Sequence, residues 1–171
     1  LSELARTRID STTSTSYAAD LRKWLQVMEA YEDGAHLYHT TMPTDALART
    51  RDAMLETRAR GFATLTAEQQ QLGAAVRALL EGYGYASVAA AGFKAPCVIV
   101  SYTDDPGLQS SKTFLELGLQ TAAGVPLQCD EGADFKTFRI GLFGLEKLGH
   151  IDRTVGYLDE ALQAIARERQ R

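Results

Sequence analysis

Two short stretches of the sequence hold side chains suited to chemistry. The first is YHTT, residues 38–41. It gathers a phenol, an imidazole and two hydroxyls just ahead of Pro43. Hydroxyls and helix-start amides suit an anion such as phosphate. A connecting loop whose threonines cap the next helix is the plainer alternative. The second stretch is FRIGLFG, residues 138–144. Phe138, Ile140 and Leu142 alternate with Arg139, Gly141 and Phe143, the period-two pattern of a strand. Arg139 then projects away from the three apolar side chains. Its planar fork keeps its charge and binds a carboxylate bidentately. A solvated arginine on an exposed sheet face, or one paired with a nearby acid, is the alternative.

Other reactive residue types are not organised. His36 and His39 have no third partner at ligand spacing, and His150 sits in the cap region before the last helix. Cys97 and Cys129 make neither a disulfide framework nor a zinc pattern. Cys97 reads as a small core residue. Asp105 is explained as a helix cap ahead of Pro106. There is no Gly-rich phosphate loop and no nucleophile elbow.

The elements that must position the two stretches follow from periodicity. After the polar run DSTTSTS (10–16), whose end supplies an N-cap, Tyr17, Leu21, Trp24, Leu25 and Met28 recur at helical spacing up to about Tyr31. Pro43 opens a second helix ending at Gly61. Thr66 and Gln69 form a capping box for a third, with Leu72, Val76, Leu79 and Leu80 on one stripe. CVIVSY (97–102) predicts a strand, and Asp105-Pro106 a helix carrying Leu108, Leu115 and Leu119. Val125 to Cys129 reads as an edge strand, and KTFRIGLF as another after a turn at 131–134. Ile151, Val155, Leu158, Leu162 and Ile165 mark a final helix placed to cover the sheet. Helices first, then short strands mixed with helices, predict an α+β fold with a short, mostly antiparallel sheet under helices.

Composition bounds the rest. The 171 residues suffice for a domain with a real core. A net charge of −4 disfavours a nucleic-acid partner. No apolar run approaches the roughly 20 residues of a spanning helix, and no leader is visible, so the expected setting is soluble and cytoplasmic, with no membrane partner. The sequence opens on Leu1 rather than Met and reads as a piece of something longer.

YHTTMPTDALARTRDAML resembles the tyrosine–histidine–x–threonine, proline and helix segment of class V aminotransferases, and AGVPLQCDEGADFKTFRIGLFG resembles the arginine–isoleucine–glycine strand near their C-terminus. SYAADLRKWLQVMEAYEDGAHLYHTTMP is similar to the segment leading into the first motif. The alanine–glyoxylate and serine–glyoxylate group is the nearest type. The resemblance covers nearly the whole chain in order.

It implies the C-terminal portion of a pyridoxal-phosphate (PLP) enzyme of fold type I. Residues 1–42 would end the large cofactor domain, and 43–171 would supply a linking helix and the small α+β domain. Arg139 would hold the substrate carboxylate, with Gly141 leaving room beside it. Tyr38 and Thr41 would reach the PLP phosphate of the neighbouring subunit in a homodimer. His39 matches a family histidine, while Thr40 stands where a second histidine is common. The reaction implied moves an amino group from a small amino acid, of alanine or serine type, to a 2-oxo acid such as glyoxylate. The family's cofactor-bonding lysine lies upstream, and none of Lys23, Lys94, Lys112, Lys136 and Lys147 sits in a matching turn. No catalytic residue is therefore expected in this chain, which would depend on the upstream domain. A lyase or desulfurase of the same fold, using Cys129, and a non-catalytic binding or dimerisation domain are the alternatives.

Overall fold

The computed structural model describes residues 1–169. The chain divides into two compact units, 1–52 and 53–171, with the division inside one helix.

The first unit contains α1 (Glu3–Ser11), α2 (Leu21–Glu32) and the start of α3 (Thr44–Arg60). Ser2 caps α1 by accepting from the Ala5 amide. The α2 cap is Asp20, which accepts from the amides of Arg22 and Lys23. The helix thus starts four residues later than Tyr17 suggested, because the carboxylate satisfies two of its free amides. Tyr17 instead donates its hydroxyl to the His39 carbonyl, 2.9 Å away. The Arg22 guanidinium bonds the carbonyls of Ile9, Asp10 and Thr12 at the end of α1. None of the three helices has a buried residue.

The second unit holds the core. Its elements are α4 (Phe62–Gly82), β1 (Val98–Tyr102), α5 (Pro106–Gln109), α6 (Lys112–Glu116), β2 (Ala122–Ala123), β3 (Thr137–Gly141), α7 (Leu145–Gly149) and α8 (Ile151–Arg169). The strands form one antiparallel sheet in the order β1-β3-β2. The expected α+β class is the observed one: a small antiparallel sheet with helices on it. β3 is central, with Ile99 opposite Ile140, Ser101 opposite Phe138, and Val100 opposite Arg139. Phe138, Ile140 and Leu142 are buried, so the period of two is realised. They join Ile99, Phe114, Leu72, Val76, Leu80, Leu158, Leu162 and Ile165 in one apolar cluster. Tyr85 and Phe114 meet the Phe138 ring at centroid distances of 5.4 and 5.5 Å.

Four local expectations are corrected. There is no capping box at Thr66. α4 already begins at Phe62 behind Gly61, the Thr66 hydroxyl donates to the Phe62 carbonyl, and the Gln69 amide donates to Pro96. The helix after Pro106 is broken in two by Ser111 in the left-handed region (φ 64°), which buries Phe114 and leaves Leu115 exposed. The edge strand is Ala122–Ala123, not 125–129. Gln128 and Asp130 have positive φ, which a pleated strand does not accommodate. Finally, α8 packs chiefly on α4, and it is α4 that meets β1. Asp105 does cap α5, accepting from Gly107 and Leu108. Burial pushes its pKa up, but bonds from Arg169 and these two amides outweigh it and hold the carboxyl below its usual value. Among the described residues no helix is long and apolar enough to cross a membrane.

Candidate functional site

Arg139 lies in the middle of the central strand, on the face away from the apolar cluster. Across the register its neighbours are Val100 on one side and Ala122 on the other. These are small or medium apolar residues, so no acid is built into the strand pairing. Its Nε donates to the Ala123 carbonyl at 2.9 Å. Among the described residues, none of the ion pairs includes Arg139. The side chain is half-exposed. A guanidinium carries five N–H donors, and one is used here. The acid-paired alternative is thus not realised. What remains is a positive fork on an open sheet face, able to take a planar anion. Gly141, two residues on, is exposed, and a Cβ there would touch only the Phe143 ring, at 3.4 Å. It leaves a gap in the face between Arg139 and Phe143.

The loop from Val125 to Phe135 runs between β2 and β3. Glu131 organises it by accepting from the amides of Leu127, Gln128 and Cys129. The bonds from the Cys129 and Gln128 amides, with its own amide, hold its carboxyl well below the usual range, at about 2. The Cys129 thiol is pushed up, first by its bond to the Glu131 carboxylate. A nucleophilic cysteine needs the opposite shift, toward thiolate. This environment argues against Cys129 as a desulfurase nucleophile. A cavity of about 260 Å³ lies against the loop, lined by Gly124, Pro126, Glu131, Phe135 and Thr137 among others. Cys97 is half-buried rather than a core residue. No cluster of His, Cys, Asp or Glu suited to a metal ion occurs among the described residues.

The other stretch belongs to the first unit. The Tyr38 hydroxyl and Thr41 Oγ1 lie 3.3 Å apart, and Tyr38 is 69% exposed. Thr41 therefore spends its hydroxyl on Tyr38 rather than on a helix amide. His39 is structural here. Its Nε2 lies 2.9 Å from the Tyr17 carbonyl, and its ring packs against Tyr17 and Trp24 at 4.6 and 5.3 Å. This cluster pins the loop and leaves the Tyr38–Thr41 pair accessible. His36 is held by the Tyr31 hydroxyl at 2.7 Å. Two hydroxyls this close can donate together to a single phosphate oxygen. Phosphate oxygens accept from such hydroxyls, so the pair suits one part of an anion cup.

Sequence reasoning singled out Arg139, Tyr38 and Thr41 as candidates, and missed the Ala123 carbonyl and the Glu131 loop. Strand register shows which carbonyl meets a guanidinium, and register across β2 and β3 has no signature in the sequence. The Glu131 loop had a weak one, a glutamate just after the polar run Gln128–Asp130.

No protein-family model matches the sequence, and no curated protein is similar to it. Solved structures are similar in fold. Alanine–glyoxylate aminotransferase from Nostoc sp. superposes with a TM-score of 0.69 at 17% identity, covering 95% of this chain and 42% of that one. Ureidoglycine–glyoxylate aminotransferase from Bacillus subtilis gives 0.72 at 21% identity, covering 92% and 38%. A subgroup IV aspartate aminotransferase from Thermus thermophilus gives 0.60 at 19% identity, covering 96% and 43%. The chain spans about two fifths of the length of these proteins. At such identities the likeness is one of fold: the chain is built like part of an aminotransferase.

Proposed function

We propose that the chain is the C-terminal portion of a PLP-dependent aminotransferase that moves an amino group from a small amino acid to a 2-oxo acid such as glyoxylate. The observation that carries this is Arg139: a guanidinium without an acid partner among the described residues, on the open face of a central strand, in a fold shared with aminotransferases. Amino acid and oxo acid have a carboxylate in common, and one fork serves both halves of the exchange. PLP, when bound, supplies the electron sink for the bond changes at the substrate's α-carbon. This chain's residues bind and orient. Arg139 fixes the carboxylate and hence the direction in which the α-carbon points. Tyr38 and Thr41 donate to the cofactor phosphate of a partner subunit in a homodimer. The exposed Leu21, Met28 and Leu47 of the first unit suit cover by that partner or by an upstream domain. The lysine that bonds the cofactor belongs to the upstream domain.

The test uses the 171-residue chain with PLP, borohydride reduction and mass spectrometry. The expected result is no stoichiometric phosphopyridoxyl adduct and no turnover of alanine with glyoxylate, both appearing once an upstream cofactor domain is supplied. A single modified lysine among the five, accompanied by turnover, would overturn the fragment reading.

A further inference from the structure

We propose that the edge strand β2 is a positioning element for Arg139, and that Gly124 is what lets it act. The inference rests on the carboxylate-binding role proposed above. An arginine side chain has many rotamers, and a bidentate site needs few of them. Here the Nε–H is tied to the Ala123 carbonyl at 2.9 Å. A bond at Nε fixes the plane of the guanidinium and leaves its two terminal nitrogens as the free donors. The anchor is a backbone atom, so its position is set by how closely β2 lies against β3. The register places Ala122 opposite Arg139 and Ala123 opposite Phe138. Continuing it by one residue puts Gly124 beside Thr137. A Cβ on Gly124 would stand 1.8 Å from the Thr137 carbonyl oxygen and 2.9 Å from its Oγ1. A carbonyl within a central strand cannot withdraw, so any side chain at residue 124 must lift the end of β2. The Gly124 amide donates to the Gln109 carbonyl at 2.9 Å, which clamps the strand from its other side. Gly124 thereby governs the direction of a guanidinium whose donor it never touches.

The experiment is NMR on the ¹⁵N-arginine-labelled chain, with acetate as the carboxylate probe. The Arg139 Nε–H signal is assigned by its loss in Arg139→Lys. In the wild type it should exchange with water at least tenfold more slowly than that of exposed Arg49, and should shift on acetate addition. In Gly124→Ala the protection should fall to the level of Arg49, and the acetate dissociation constant should rise at least fivefold. The buried Arg77, bonded to Ser87 and Ala95, reports that the fold is intact. Should Gly124→Ala fail to fold, wild-type exchange decides: an Arg139 Nε–H as fast as that of Arg49 overturns the inference. So does unchanged acetate affinity in a folded variant that has lost protection. A protected Nε–H with no response to acetate shows instead that the carboxylate role itself is wrong, and the positioning role falls with it.

Discussion

Replacing Arg139 by lysine separates charge from geometry. Lysine keeps the positive charge on the open face of β3, so long-range attraction for an anion survives. It loses the Nε–H that bonds the Ala123 carbonyl and replaces two parallel donors by one ammonium. One charge-assisted hydrogen bond contributes about 1.5–3 kcal/mol, which corresponds to a fall in kcat/KM of about 10- to 150-fold. The loss should be equal for the amino acid and for the oxo acid, because the carboxylate is the part they share. Stability should hardly move. The side chain is half-exposed and outside the apolar cluster, and such substitutions stay within about 0.5 kcal/mol. The assay is steady-state kinetics of the intact enzyme with each substrate varied in turn, alongside thermal unfolding of both proteins. Unchanged kinetics for both substrates refutes the assignment. A loss confined to one substrate refutes the shared-carboxylate reasoning, and a large fall in melting temperature refutes the claim that Arg139 is free of structural duty.

Tyr38→Phe should weaken PLP retention by the value of one hydrogen bond, about 0.5–1.5 kcal/mol, leaving far-UV circular dichroism unchanged. Retention through dialysis equal to wild type counts against the phosphate role. Phe138→Ala removes a fully buried ring lodged against Tyr85 and Phe114 and should destabilise the second unit by about 3–5 kcal/mol, read from the urea midpoint. A cost below about 1 kcal/mol would mean that the central strand does not anchor the core. Glu131 has a folded pKa of about 2 against an ordinary 4.5, so the order it gives the loop is complete above its ordinary value and is lost as pH falls through about 2. Amide exchange at Leu127, Gln128 and Cys129 should follow that window and lose its pH dependence in Glu131→Gln. A midpoint near 4.5 in the wild type would show that the three amides do not hold the carboxylate.

Much of the fold is legible in the sequence itself. Where burial is one-sided, periodicity reports it directly. The alternation of Phe138, Ile140 and Leu142 with Arg139 and Gly141 marks both faces of β3, and the 3–4 spacing from Ile151 to Ile165 marks α8. Signals depending on a single local bond fare unevenly. Asp105 caps where expected because Pro106 fixes the first turn behind it. Thr66 does not cap, because the preceding residues also favour helix and α4 continues back to Phe62. The misplaced edge strand has the same kind of cause. Val125 and Leu127 have strand-like side chains, but Glu131 captures their loop with three amide bonds, and two alanines of weaker strand preference pair with β3 instead.

The candidate site divides along the same line. Arg139 is legible because a charge in an alternating strand breaks a pattern, and a broken pattern is local. Its anchor is not, since Ala123 lies sixteen residues away and carries no chemical mark. The nearest trace in the sequence is Gly124, and a glycine alone says only that something comes close. The register of β2 on β3 identifies that neighbour as the Thr137 carbonyl. Arg139 presents its fork in one direction because a residue without a side chain allows a backbone without distinguishing chemistry to reach it. A search of this sequence for reactive residue types therefore finds the guanidinium, and leaves unseen the two alanines and the glycine that aim it.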